Sequence, residues 1–230
     1  MISMLPKLAV VISTGYAFVQ LAHWPLGFTF FTQLSNLYAA LIVLAQLTPR
    51  FRNKLAAAKY TATVSVTITF LVYLTVLAPM TPGGMLAAYA EDHYASLALH
   101  IVSPLFCLAD FLLNDAPARP WRRANLGLAL IPPVAWLLMI LMLGHCGVRW
   151  RDMVAPYPFL NYAAPTGWFG FAPETADTSS LGIGVFYAVC AMLVVCLAVS
   201  SLLLALARKR HRMNRDCSTL RINGDGQERE

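Results

Sequence analysis

Six long apolar runs separated by short polar breaks fill most of the chain. They cover about residues 7–23, 29–48, 58–79, 95–114, 125–144 and 181–207. Each is close to the ~20 apolar residues that a helix needs to cross a hydrocarbon core. The pattern predicts an all-α fold, an integral membrane bundle of six transmembrane helices formed by residues 1–207.

The third run departs from uniform apolarity. Thr61, Thr63, Ser65, Thr67 and Thr69 alternate with apolar residues, a period of two that on its own reads as a strand. A lone strand cannot satisfy its backbone in lipid, so the run is read as a helix with small hydroxyl residues at packing surfaces. Pro132-Pro133 falls mid-run in the fifth segment and predicts a kink. The first run shows no small-x-small cleavage pattern in Gln20-Leu21-Ala22-His23, and it is read as an uncleaved helix.

Composition agrees with lipid as the solvent. Of 230 residues, 58% are hydrophobic and 12% charged, against about 45–50% and about 25% in soluble domains. The net charge of +6 does not point to nucleic acid, because it lies in short loops beside the apolar runs. Lys7 stands at the amino end; Arg50, Arg52 and Lys54 lie between runs two and three, with Lys59 at the edge of run three; Arg119, Arg122 and Arg123 lie between runs four and five. Seven more follow residue 207, so 15 of the 17 basic residues fall on one side. The positive-inside rule then places both termini in the cytoplasm, an N-in/C-in topology. Residues 208–230 read as a disordered basic and polar tail that meets anionic lipid. The expected location is a plasma membrane, the bacterial inner membrane. Membrane lipids are the expected partners, with no nucleic acid, and the oligomeric state is open. No cofactor is implied. Cys107, Cys190 and Cys196 lie inside runs and read as buried thiols; Cys146 and Cys217 fall on opposite sides, so no disulfide framework follows.

The segment 145–180 is the only long loop, and it lies on the outer side. Its aromatic residues, among them Trp150, Tyr157, Phe159, Trp168, Phe169 and Phe171, suit a headgroup belt or a lid over an outward-opening cavity.

Ionisable groups within membrane spans are functional candidates by default. His100 and Asp110 are the two clear cases, both on the fourth run. With Ser103 and Cys107 they share one helical face. Asp110 lies near the cytoplasmic end, where it is expected to snorkel to water or pair with Arg122 or Arg123. His100 lies roughly 7–8 Å below the outer start of its helix, and Thr32, on the second run, roughly 5–6 Å below its own. The two therefore sit at similar depth, though depth alone does not bring them into contact.

Their chemistry is complementary. A threonine hydroxyl becomes a nucleophile when a base takes its proton, and a neutral imidazole is suited to that task. Asn36 or Gln33 can donate to a developing oxyanion, with Ser35 and Ser103 in support. Pro104 has no N–H, so the His100 carbonyl is expected to lack its helical partner. The plainer readings are a threonine bonded back to its own helix and a cluster of polar residues gluing helices together. His23, His93, His100 and His145 all map to the outer side and suggest a zinc site. No HxxxH or HExxH spacing supports one, and no metal is expected. A non-enzymatic lipid-binding or transport protein with a polar intramembrane cavity is the alternative to catalysis.

Three blocks carry a resemblance: Phe30-Phe31-Thr32-Gln33-Leu34-Ser35-Asn36-Leu37, Leu99-His100-Ile101-Val102-Ser103-Pro104 and Tyr157-Pro158-Phe159-Leu160. In order and context they resemble the androgen-induced gene product family of six-pass membrane proteins and its bacterial relatives, over about residues 7–205. Animal members hydrolyse fatty acid esters of hydroxy fatty acids with an intramembrane threonine and a histidine partner. The resemblance implies an intramembrane lipid ester hydrolase in which Thr32 is the nucleophile and His100 the base. Tyr157, Pro158 and Phe159 would then border the substrate entrance.

Overall fold

The computed structural model describes residues 4–114, 125–172 and 182–227, the side chains of 211, 212 and 214–227 excepted. Among the described residues the regular structure is all helical, with no strand and only isolated bridges at Trp150/Met153 and Phe171/Ile183. Five helices among the described residues are long and apolar enough to cross a membrane: α1 (Leu5–His23), α3 (Ala56–Met80), α4 (Gly84–Asn114), α5 (Asn125–His145) and the Val185–Arg210 part of α6. Between α1 and α3 lies α2 (Phe31–Ala45), apolar but only 15 residues long. At 1.5 Å per residue it spans about 22 Å, short of the ~30 Å core. The full length of α6 is Val185–Gln227, so the backbone through most of the segment read as a tail is helical.

The central helix is α3, which packs against α2, α4, α5 and α6. Every residue from Lys59 to Val66 is buried, and this explains the small hydroxyls. A helix surrounded on all sides needs small residues at its contacts, and each hydroxyl needs an acceptor. Thr63, Ser65, Thr67 and Thr69 donate to the carbonyls four residues back, at 2.8, 2.9, 2.7 and 3.1 Å. The period of two is therefore compatible with a helix. Tyr60, Val64 and Ile68 pack with Phe111, Cys196 and Leu203 in one core cluster. Large apolar side chains are exposed along the perimeter, including Leu8, Ile12 and Val19 on α1, Leu138 and Met142 on α5, and Val194 and Leu202 on α6. Such a surface suits hydrocarbon and not water. Cys190, read as a buried thiol, is exposed on this perimeter, whereas Cys107 and Cys196 are buried.

Asp110 does not reach water at the end of its helix. It is fully buried, and its Oδ2 accepts from Lys7 Nζ at 2.7 Å and Lys59 Nζ at 2.6 Å. Its Oδ1 accepts from Asn114 Nδ2 at 2.8 Å. The carboxylate thus ties α1, α3 and α4 together at the basic end of the bundle. Arg122 and Arg123 lie outside the described residues. The last carbonyls of α4 take guanidinium donors, from Arg52 to Asn114 at 3.2 Å and from Arg210 to Leu113, as suits a helix C-terminus.

The loop after α5 folds back onto the opposite end of the bundle. Its close approach needs glycine at Gly144, where a Cβ would lie 2.4 Å from the Val154 carbonyl oxygen. The belt and lid readings divide along its length. Trp150, Tyr157 and Phe159 are 1%, 8% and 5% exposed, whereas Trp168, Phe169 and Phe171 are 42%, 64% and 70% exposed. The first group packs with Ile140, Val185 and Ala188 as a cap on the bundle.

Candidate functional site

Two irregular turns shape the site. α3 passes through a π turn at Tyr73–Leu77, and α4 through another at Ala98–Val102. π turns rotate the residues around them out of the usual helical register and are frequent at functional sites. His100 sits in the second turn, and its ring stacks on Tyr73 from the first, centroids 3.7 Å apart. The Tyr73 hydroxyl reaches the Ala88 carbonyl at 2.7 Å and the Ser96 hydroxyl at 2.6 Å. The imidazole is thereby held in one plane.

The π turn also moves the backbone gap left by Pro104. The Ser103 amide bonds back five residues to the Ala98 carbonyl. The next amide in that register would serve the Leu99 carbonyl, and Pro104 has none. The gap therefore falls on Leu99. Asn36 fills it, with Nδ2 donating to the Leu99 carbonyl at 3.0 Å and to the Thr32 carbonyl at 2.8 Å. This pins α2 to α4 directly behind Thr32 and His100.

The start of α2 is pinned from the other side. Trp150 Nε1 donates to Thr29 Oγ1 at 2.7 Å, and Trp136 Nε1 to the Thr29 carbonyl at 2.8 Å. No side chain of its own caps α2, and its first-turn amides would be orphaned. The Tyr157 hydroxyl reaches this first turn at Thr32.

Between these fixtures the Thr32 hydroxyl and the His100 imidazole meet. Thr32 Oγ1 is 3.1 Å from His100 Nε2 and 3.3 Å from the Tyr157 hydroxyl. His100 Nδ1 lies 2.9 Å from the Ser96 carbonyl. A carbonyl only accepts, so Nδ1 of the neutral ring carries the proton and Nε2 presents its lone pair. Thr32 then donates to Nε2, and Tyr157 donates to Thr32. The direction of every bond in the row follows from the single acceptor at Ser96. Burial pushes the Tyr157 phenol above its ordinary range, and its contacts with Thr32 and the neighbouring α2 backbone act the other way. It stays an O–H donor at neutral pH.

A cavity of about 270 Å³ opens beside this row. Its polar lining is Thr32, Thr69 and Tyr157; most of the rest is apolar, from Phe31, Val72, Leu137 and Phe159 near the loop end to Ile68 and Leu193 deeper in. Cys196, also in the lining, lies about 16 Å along α6 from Val185 at helical rise. Its thiol approaches the Ala129 carbonyl at 3.7 Å. That carbonyl stands four residues before Pro133, which cannot serve it.

No protein-family model matches this chain, and no curated protein or solved structure matches it either.

The other residues singled out by sequence have different places. Ser35 donates to the Thr32 carbonyl at 3.1 Å and meets Thr69 Oγ1 at 3.2 Å, bracing α2 against α3. Ser103 faces α1, with its hydroxyl 3.3 Å from Thr14 Oγ1. Gln33 is buried, its Oε1 without a partner among the described residues, and neither Gln33 nor Asn36 lines the cavity. Both Asn36 amide hydrogens are committed to carbonyls, so Asn36 is not placed to meet an oxyanion. Tyr157 and Phe159 line the cavity. Among the described residues, no three His, Cys, Asp or Glu side chains come together as metal ligands. Sequence reasoning missed Tyr73 and Ser96. The signal available for Ser96 was its position four residues before His100 on the same face.

Proposed function

We propose that this chain is an intramembrane ester hydrolase acting on long-chain lipid esters, with Thr32 as nucleophile and His100 as base. The observation that carries the reading is the 3.1 Å contact from Thr32 Oγ1 to His100 Nε2, with the other ring nitrogen held on the Ser96 carbonyl. This is the nucleophile–base–orienting group arrangement that activates a hydroxyl. The adjoining apolar cavity suits an acyl chain, and its polar end lies at the hydroxyl.

In the reaction, Thr32 Oγ1 attacks the acyl carbonyl while its proton passes to His100 Nε2. The tetrahedral intermediate collapses, the bond to the alcohol oxygen breaks, and His100 returns the proton to that oxygen. Water then attacks the acyl-threonine, giving its proton to His100. Collapse releases the fatty acid and restores the Thr32 hydroxyl with the same proton.

The proposed setting is a plasma membrane, with six passes and both termini in the cytoplasm. α2 supplies the sixth pass with the turns at its ends. Charge placement supports this, as does the buried Asp110 cluster at the basic end. The three sequence blocks support kinship with the bacterial branch of the androgen-induced gene product family. Esters of hydroxy fatty acids are accordingly the first substrates to try. Purified protein in lipid nanodiscs should hydrolyse long-chain esters, and a fluorophosphonate probe should label Thr32. Full activity retained by both Thr32→Ala and His100→Ala, or no ester cleaved by the wild type, overturns the reading. A second reading, a lipid carrier, draws on the mostly apolar lining of the cavity. Lipid transport in proteoliposomes that survives both alanine changes would favour it.

A further inference from the structure

The geometry points to Tyr157 as a catalytic residue that donates a hydrogen bond to the oxyanion formed when Thr32 attacks an ester. The inference rests on the hydrolase reading and adds a donor that the dyad lacks. A tetrahedral intermediate carries a full negative charge on the former carbonyl oxygen, and in an apolar site an unpaired charge is prohibitive. Asn36 and Gln33, the residues suggested by sequence, do not line the cavity. Tyr157 does, and its hydroxyl is 3.3 Å from the attacking oxygen.

The direction of the hydrogen bonds makes Tyr157 a donor at this point. Thr32 Oγ1 spends its own hydrogen on His100 Nε2, whose partner nitrogen is held by the Ser96 carbonyl, so the Tyr157 O–H faces Thr32 Oγ1 as donor. As Oγ1 bonds to the acyl carbon, it becomes a weaker acceptor, and the oxygen one bond further on becomes a strong one. The O–H needs only to turn from the first to the second. The ring is held for this purpose: it stacks on Phe159 with centroids 5.2 Å apart and an interplanar angle of 5°, and meets Phe30 edge-on at 5.3 Å. A donor fixed before the reaction needs no reorganisation when charge develops. The phenol also lies against Thr32 in the first turn of α2, where the positive end of the helix dipole polarises its O–H further.

The test is Tyr157→Phe, which keeps both ring contacts and removes the hydroxyl. Hydrolysis of a long-chain ester should lose about 10²-fold in kcat, with KM within about twofold, because the lost bond exists only in the transition state. A long-chain trifluoromethyl ketone, which forms an oxyanion on Thr32, should bind about 10²-fold more weakly to the variant. Binding of the product fatty acid should be unchanged. A variant with wild-type kcat, or one that loses fatty acid and ketone affinity equally, overturns the role of Tyr157 and leaves the Thr32/His100 reading standing. Lack of ester turnover by the wild type overturns both.

Discussion

The Asn36 amide sits on the Leu99 carbonyl at 3.0 Å, in the gap that the π turn and Pro104 together open in α4. A side chain on one helix thus replaces a missing backbone donor on another, and the replacement lies directly behind the Thr32–His100 contact. Asn36→Ala would leave a buried carbonyl without that partner, at about 1–3 kcal/mol. It would also let α2 shift against α4, and a displacement of about 1 Å at a reacting pair can cost 10²-fold in rate. The expected result is a lower unfolding temperature together with a fall in kcat/KM. Pro104→Ala offers a check, because it returns an amide to the Leu99 carbonyl. The double variant should be more stable than the sum of the two single changes predicts, a coupling that a double-mutant cycle measures. Strict additivity would mean that the Leu99 carbonyl is not what Asn36 serves.

The Asp110 cluster holds two lysines on one carboxylate. Removing the carboxylate takes the shared counter-charge from two buried ammonium groups at once, whereas removing one lysine leaves a balanced pair. Asp110→Asn should therefore destabilise the fold by about 3–5 kcal/mol, and Lys7→Met by clearly less. Thermal unfolding in nanodiscs, read by tryptophan fluorescence, compares the two. Equal losses would place the stabilisation in packing and not in charge.

These two cases show what the sequence carries and what it does not. The helical runs were legible because hydrophobic length is a local property. The pairing of Thr32 with His100 was within reach because depth in a membrane follows from residue counting along each run. Lys59 illustrates the limit. In the sequence it reads as a loop charge that sets topology, yet it is completely buried against Asp110, because the buried stretch of α3 begins at Lys59 itself. The π turn in α4 was also hidden. Pro104 announces a missing amide, but which carbonyl loses its partner depends on a hydrogen-bond register that tertiary packing selects. Tyr157 was placed at an entrance. Its contact with Thr32 comes from the fold of a loop 125 residues away, where local pattern says nothing about direction.

Trp150 anchors the start of α2 through its bond to Thr29. Trp150→Phe keeps most of the buried ring and removes the indole donor. The loss should be about 1 kcal/mol of stability with a larger relative effect on turnover, since Thr29 lies three residues before Thr32. Measured kcat should fall while unfolding shifts only slightly. If turnover changes no more than stability does, Thr29 and Trp150 hold the loop and have no bearing on the nucleophile.

The cavity beside Thr32 predicts selection by acyl length. Each methylene that enters an apolar cavity contributes about 0.8 kcal/mol, so kcat/KM should rise by up to about fourfold per methylene until the chain reaches the end of the available space. Leu193 lines the deeper part of that space, well along α6 from the loop end. Leu193→Trp should fill it without touching Thr32, His100 or Tyr157. The variant should match the wild type on short esters and stop gaining with length several methylenes earlier. A uniform loss on all esters would instead mean that the bulky ring has disturbed the dyad. An unchanged length profile would mean that the acyl chain leaves the site by another route, along the lipid-facing surface between helices and not into this cavity.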